Sequence, residues 1–312
     1  MRKFGFVFPG QGSQKIGMLN GLAEQYSIIG QTFDEASQLI GKDLWEIAQH
    51  DSDNKLDQTQ ITQPVLLTAS VAIWRLWQDQ GAANTSILAG HSLGEYSALV
   101  CAGVLEFGDA VKLVRHRGEY MQQTVQPGQG AMAAIVGLDD YKIKEICSEV
   151  AGKQVVSAAN FNSPGQTVIA GDTDAVNRAM QACKNAGAKR ALPLKVSVPS
   201  HCALMREAAE KLAILLDSVK FNPATIPVVQ NVNAQIAVNA DEIKQNLVQQ
   251  LYMPVLWLDS INLIHKAGVN LLVECGPGRV LCSLVKRIQP DIVCFGSEDS
   301  QSFTQAKDEV SV

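Results

Sequence analysis

Ser92 lies in the run Ile87-Leu88-Ala89-Gly90-His91-Ser92-Leu93-Gly94-Glu95, where an apolar segment meets Gly-x-Ser-x-Gly and then a helical pattern from Tyr96 to Ala102. A serine between a buried strand and a helix is the nucleophile-elbow context. Its hydroxyl is lifted clear of the sheet at a helix N-terminus, where free N–H groups and the helix dipole favour developing negative charge. Gly90 and Gly94 suit such a turn, which leaves no space for side chains against the neighbouring backbone. The competing reading is a structural turn whose serine caps the helix. A serine hydroxyl is a poor nucleophile until a base takes its proton, so a histidine is required. His91 directly precedes the serine, and its side chain is expected to point elsewhere. His116 and His265 fall on helical patterns and read as solvated, while His50 borders a polar loop. His201 follows an extended segment through Val198-Pro199-Ser200 and precedes a helical run. Catalytic groups of open α/β sheets gather at such strand ends. His201 is the candidate base by position and elimination, against a helix-capping role. No acid stands where it would orient the ring. A serine–histidine pair steadied by a backbone carbonyl and a full triad both stay open.

Arg117 is the third chemical residue. On the helical stretch Asp109–Thr124 the apolar stripe runs through Ala110, Val114 and Met121, and Arg117 falls in its middle. A core-facing guanidinium cannot shed its charge, so it must meet a protein carboxylate or a substrate anion. A structural ion pair and a clamp for an acyl carboxylate are equally open. The fourth feature is the loop Pro9-Gly10-Gln11-Gly12-Ser13-Gln14 after the first strand. In elbow enzymes the residue after the nucleophile, here Leu93, supplies one oxyanion N–H and a strand-end loop the other; Gln11 is the natural second donor. As a phosphate loop the segment fails, because it lacks the Gly-Lys-Ser/Thr half.

The elements that must position these groups alternate. Residues 1 to 126 read as strand Lys3–Phe8, helical stretches around Gly21–Ile40, a polar loop Asp51–Thr59, helix Val65–Gln78, strand Ile87–Ala89 with its elbow helix, and helix Asp109–Thr124. That order implies an α/β fold with a mostly parallel sheet and helices on both faces, an α/β-hydrolase-like core. From Gly130 the rhythm becomes β-α-β-β-α-β: Ala131–Val136, Asp140–Val150, Val155–Phe161, Thr167–Ala170, Asp174–Ala186 and Arg190–Val196. This is the split βαβ, ferredoxin-like unit, expected as an insert over 127–197 in a core formed by 1–126 and 198–312. Helix Cys202–Val219, strand Val228–Asn231, helices Ala240–Leu251 and Leu256–Ala267, and strand Asn270–Glu274 follow; the tail from Glu298 is expected to fray. A net charge of −5 argues against bulk nucleic-acid binding, and no stretch approaches a membrane span. The N-terminal apolar run is too short for a signal peptide. Seven scattered cysteines without a Cys-x-x-Cys pair fit a reducing cytoplasm and not a disulfide scaffold.

Taken together, Phe8-Pro9-Gly10-Gln11-Gly12-Ser13-Gln14, Gly90-His91-Ser92-Leu93-Gly94-Glu95, Arg117-Gly118, Asn160-Phe161-Asn162-Ser163-Pro164, Val198-Pro199-Ser200-His201 and Glu274-Cys275-Gly276-Pro277-Gly278 occur in one order along nearly the whole chain. The set resembles the malonyl-CoA:acyl-carrier-protein transacylases, close to the free-standing enzymes of bacterial type II fatty acid synthesis. The resemblance implies that Ser92 is the acylated nucleophile, His201 its base, and the N–H groups of Gln11 and Leu93 the oxyanion hole. It implies that Arg117 grips the malonyl carboxylate, that the Gln250 main-chain carbonyl steadies the histidine, and that Gln63 and Asn160 line the pocket. The implied substrates are malonyl-CoA and holo acyl carrier protein, in a ping-pong scheme with no metal and no cofactor beyond the coenzyme A and phosphopantetheine that arrive within them. A thioesterase or esterase using the same elbow is the alternative, and a carrier-protein docking module with a vestigial site a third reading. Lys189-Arg190 and Lys286-Arg287 are the candidate docking patches for an acidic carrier protein. A monomer is the expected state.

Overall fold

The structure is a computed structural model that describes residues 3–81, 85–196, 198–237 and 239–311. The expected unit ends at 1, 197 and 312 lie outside the described residues. Elements run β1 (Phe4–Phe8), α1 (Asn20–Ala23), α2 (Ser27–Ile40), α3 (Leu44–Gln49), α4 (Thr59–Asp79), β2 (Ile87–Gly90), α5 (Leu93–Cys101) and α6 (Phe107–Thr124). Next come β3 (Gly130–Val136), α7 (Asp140–Ala151), β4 (Val156–Ser163), β5 (Gln166–Asp172), α8 (Thr173–Asn185) and β6 (Arg190–Pro193). A 3-10 turn (Ala203–Met205) precedes α9 (Arg206–Asp217), β7 (Val228–Val229), α10 (Ala240–Gln250), α11 (Trp257–Lys266), β8 (Leu271–Glu274), α12 (Val280–Ile288), β9 (Val293–Gly296) and α13 (Ser300–Ser311).

Among the described residues the strands form two sheets. The larger has five strands in the order β7-β2-β1-β8-β9, every pairing parallel. Its strands are apolar on both faces because both are covered. Phe4, Phe6 and Phe8 of β1 face one core, where Phe6 meets the Trp74 and Trp77 rings of α4 edge-on. Val7 faces the other, with Ile87, Ala89 and Val229. The smaller sheet has four antiparallel strands in the order β4-β5-β3-β6, with α7 and α8 packed against it around Ile143, Ile146, Val176 and Ala179. In that order β5 separates β3 from β4, which is the split βαβ arrangement of a ferredoxin-like sheet.

Five expectations are corrected. The helix read from Val65 starts at Thr59 and runs through Pro64, at the very end of the polar loop read over Asp51–Thr59. Proline normally ends a helix pattern, yet this helix is buried at every position from Ile61 to Ile73 and tertiary packing decides. The extended segment expected to reach Val196 leaves the sheet after Pro193, and the strand expected to Asn231 stops at Val229. The tail does not fray: α13 buries Phe303, Ala306 and Val310, with Phe303 against the Trp77 ring at 5.7 Å. That spacing is a helical stripe whose polar neighbours masked it. Finally, Cys282 of α12 and Cys294 of β9 pair as a disulfide with Cα atoms 5.1 Å apart, while the other five cysteines are buried free thiols. Adjacent elements bring together two residues whose spacing resembles no motif.

Because Phe303 is 1% exposed inside the main core, Phe303→Ala is expected to cost about 3–5 kcal/mol. Equilibrium denaturation measures it, and a loss below about 1 kcal/mol would mean that α13 is not part of the core.

Candidate active site

Three glycines bring the end of β1 and the elbow into contact. A Cβ on Gly90 would lie 1.9 Å from the Gly94 carbonyl, one on Gly94 would lie 2.0 Å from the Phe8 carbonyl oxygen, and one on Gly10 would lie 2.4 Å from the His91 carbonyl oxygen. No side chain fits at any of these positions. Between them Ser92 takes φ 52° and ψ −105°, a conformation that costs a non-glycine residue about 1–3 kcal/mol. Hydrogen bonds hold it there. Ser92 N–H donates to Asn231 Oδ1 at 2.7 Å, Asn231 Nδ2 donates to Gly90 O at 2.7 Å, and Gln250 Nε2 donates to Ser92 O at 3.0 Å. This conformation places Ser92 at the cavity, immediately before the first turn of α5.

His201 Nε2 lies 2.8 Å from Ser92 Oγ, and His201 Nδ1 lies 2.6 Å from the Gln250 main-chain oxygen. A carbonyl can only accept, so Nδ1 carries the proton and Nε2 presents its lone pair to the serine hydroxyl. Burial, with the nearby Arg117 charge as the lesser cause, pushes the imidazole down to about 3. It is therefore neutral at physiological pH, the state a general base needs. The serine–histidine pair oriented by a backbone carbonyl is the arrangement found; no carboxylate contacts the ring among the described residues. His201 itself has φ 63°, and its N–H donates to Leu251 O at 2.9 Å.

Arg117 is 2% exposed. Its Nη1 donates to Gln63 Oε1 at 2.8 Å, and its Nη2 to Gln250 Oε1 at 2.9 Å and to Ser92 Oγ at 3.2 Å. Its carbon stands 5.4 Å from the Tyr96 ring centre, a cation–π contact. Among the described residues no carboxylate bonds to it directly and its Nε has no partner. Of the two readings open in the sequence, the ion pair is absent. A buried guanidinium held only by amides, a hydroxyl and an aromatic face retains unspent capacity for an anion. Gly118 makes this packing possible: a Cβ there would lie 2.6 Å from Gln60 Cα, so α4 and α6 touch backbone to backbone and Gln63 reaches the guanidinium.

These groups line a cavity of about 110 Å³ between the two sheets, with Gln11, Leu93, Met121, Met132, Asn160 and Val198 among its walls. Asn160 comes from a bulged stretch of β4 that also bridges to Val255. Leu93 opens α5, and its N–H is left over by the helix. Gln11 follows Gly10 at the end of β1, and its side chain donates to Thr59 Oγ1 at 3.3 Å. His91, expected to face away, also lines the cavity, but its Nε2 is engaged by Asn162 Oδ1 at 2.9 Å and its ring packs near Trp257. Lys189, Arg190, Lys286 and Arg287 are exposed, and Arg287 donates to Gln166 Oε1 at 2.6 Å. Sequence reasoning missed Asn231 and the role of the Glu95 side chain. A polar residue directly after an apolar strand was the available signal for the first.

A strained serine on a strand-to-helix corner, a neutral imidazole and a buried cation over one small cavity define an acyl-transferring serine enzyme. The acyl transferase domain model matches residues 5–287, and the chain belongs to that family. The malonyl CoA-acyl carrier protein transacylase of Escherichia coli strain K12 is 58% identical over 288 residues, covering 92% of this chain and 93% of that protein. The acyl carrier protein S-malonyltransferase structure from Vibrio cholerae superposes with a TM-score of 0.96 at 54% identity, covering 98% of this chain and all of that one. A malonyl-transacylase solved in complex with a type II polyketide acyl-carrier protein superposes with a TM-score of 0.97 at 53% identity, covering 98% and 99%.

Gly118→Ala is expected to force the first turn of α4 away from α6, at about 1–3 kcal/mol. Chemical denaturation reports it, and an unchanged midpoint would show that the two helices have room to spare.

Proposed function

We propose that this chain transfers the malonyl group of malonyl-CoA to the phosphopantetheine thiol of acyl carrier protein, supplying the extender unit of fatty acid synthesis, with the chemistry carried by Ser92, His201 and Arg117. The observation that carries the reading is the guanidinium with no carboxylate bonded to it among the described residues, 3.2 Å from the nucleophilic oxygen. A hydrolase of neutral acyl esters has no use for it, and the malonyl acyl group brings an anion that can bond to it directly.

His201 Nε2 takes the proton of Ser92 Oγ as that oxygen bonds to the thioester carbon. The carbonyl oxygen becomes an oxyanion, received by the Leu93 N–H at the start of α5 and by the Gln11 N–H of the β1 loop. When the C–S bond breaks, the coenzyme A sulfur leaves with the proton from His201, and a malonyl-Ser92 ester remains. The carrier-protein thiol then gives its proton to Nε2 and its sulfur bonds to the ester carbon. As the C–O bond breaks, Oγ recovers that proton. Arg117 holds the distal carboxylate throughout, with Gln63 fixing the guanidinium from α4 and Asn160 lining the same cavity. The arriving carboxylate also offsets the charge that disfavours imidazolium, so His201 becomes a better base once malonyl is in place. Coenzyme A and phosphopantetheine enter only as parts of substrates. Among the described residues no helix is long and apolar enough to cross a membrane. The use of malonyl-CoA and acyl carrier protein as substrates supports a cytoplasmic enzyme.

Two outcomes test the assignment. Intact-mass analysis after exposure to malonyl-CoA should show one malonyl adduct on the Ser92 peptide, absent in Ser92→Ala. Arg117→Ala should lose malonyl transfer by roughly two to three orders of magnitude, as expected when a charged hydrogen-bonded pair is broken, with acetyl transfer kept or gained. An unchanged malonyl-to-acetyl ratio would refute the clamp.

A further inference from the structure

Glu95 stands on the first turn of α5, fully buried, with no basic side chain within ion-pair distance among the described residues. Its Oε2 accepts from Gln250 Nε2 at 2.7 Å and from Asn231 N–H at 3.1 Å, and its Oε1 has no partner. The Gln250 amide is thereby locked in one orientation. Its nitrogen faces Glu95 and Ser92 O, its oxygen faces Arg117 Nη2 at 2.9 Å, and its main-chain oxygen receives His201 Nδ1–H. One amide group separates a buried carboxylate from the buried guanidinium.

We infer that Glu95 is a positioning residue and the resident counter-anion of Arg117, acting through Gln250, and that it sets how tightly the guanidinium holds an acyl carboxylate. The inference rests on reading Arg117 as the malonyl clamp. Two opposite charges in one dry region stabilise each other strongly, and a second anion arriving at the same cation must share it. Ionised Glu95 therefore keeps the empty site from carrying an uncompensated charge and weakens the grip on malonyl, which must still depart with each turnover. Burial raises the carboxyl to about 7, with the Gln250 and Asn231 hydrogen bonds and the Arg117 charge pulling the other way. Glu95 is thus part ionised near neutrality. The other groups facing it do not change charge there. Arg117 comes from α6 and stays cationic, His201 from the segment before α9 is already neutral, and burial pushes Tyr96 on its own helix up to about 12. The sides of α10 and of the loop after β7 contribute only the amides of Gln250 and Asn231. Lowering the pH through neutrality removes the competing anion, so malonyl preference should increase in acid and fall in base.

The test compares kcat/KM for malonyl and acetyl transfer from the two coenzyme A thioesters to holo carrier protein, using the full chain at about pH 6 and about pH 8. Taking the ratio cancels His201 and the coenzyme A phosphates, which both substrates share. The wild-type ratio should rise toward the lower pH. Glu95→Gln should raise the ratio at the higher pH on the order of tenfold, the equivalent of one pKa unit of interaction, and remove its pH dependence. A purely structural Glu95 would depress both transfers together and leave the ratio and its pH profile unmoved, which overturns the inference. If Glu95→Gln does not fold, a pH-independent ratio in the wild type overturns it alone. Arg117→Ala separates the two readings: malonyl preference surviving there ends the clamp and this inference with it. Preference lost there while Glu95→Gln leaves the ratio unmoved ends the counter-anion alone.

Discussion

The constraint on which the rest depends is one buried positive charge. A guanidinium cannot neutralise itself by losing a proton, so the fold must surround Arg117 with acceptors or keep it in water. It does the former with partners drawn from across the chain: Gln63 from α4, Gln250 from α10, Ser92 from the elbow, and the Tyr96 ring from α5. None of these partners carries a full negative charge in direct contact. The site is satisfied enough to fold and unsatisfied enough to want an anion.

Gln250 is the residue where the two halves of the chemistry meet. Its backbone oxygen fixes the tautomer of His201 while its side chain spans from the guanidinium to Glu95 and the Ser92 carbonyl. A shift of α10 would therefore disturb His201, Arg117 and Ser92 at once. Strain at Ser92 and at His201, both at positive φ, is sustained by the same network. The energy for holding these conformations comes from the surrounding packed backbone, where Gly90, Gly94 and Gly10 remove every side chain that would separate β1 from the elbow.

Much of this was legible in the residues. The elbow serine and the cation on an apolar helix stripe follow from local pattern, because each is a departure from what packing alone would choose, and His201 follows from its position and the elimination of the other histidines. The order of the smaller sheet followed from the β-α-β-β-α-β rhythm. Weaker signals failed. The start of α4 was hidden by Pro64, whose local preference was overridden by burial on every side. The helix α13 was hidden by polar residues around its Phe303, Ala306 and Val310 stripe. Asn231 gave only a weak sign, a polar residue at the end of an apolar strand, since a single buried amide becomes meaningful only beside the backbone it bonds.

The sequence by itself determined which groups could react: the types of residue at the corner, the loops and the helix stripe set the available chemistry, and periodicity set the elements that carry them. Only the tertiary structure decided which of those groups meet. Whether Arg117 was answered by a carboxylate or left open, and whether His201 was steered by an acid or by a carbonyl, depended on contacts between residues far apart in the chain. Hydrogen bonds act over about 3 Å, while sequence patterns report only on the few residues that share a turn or a strand.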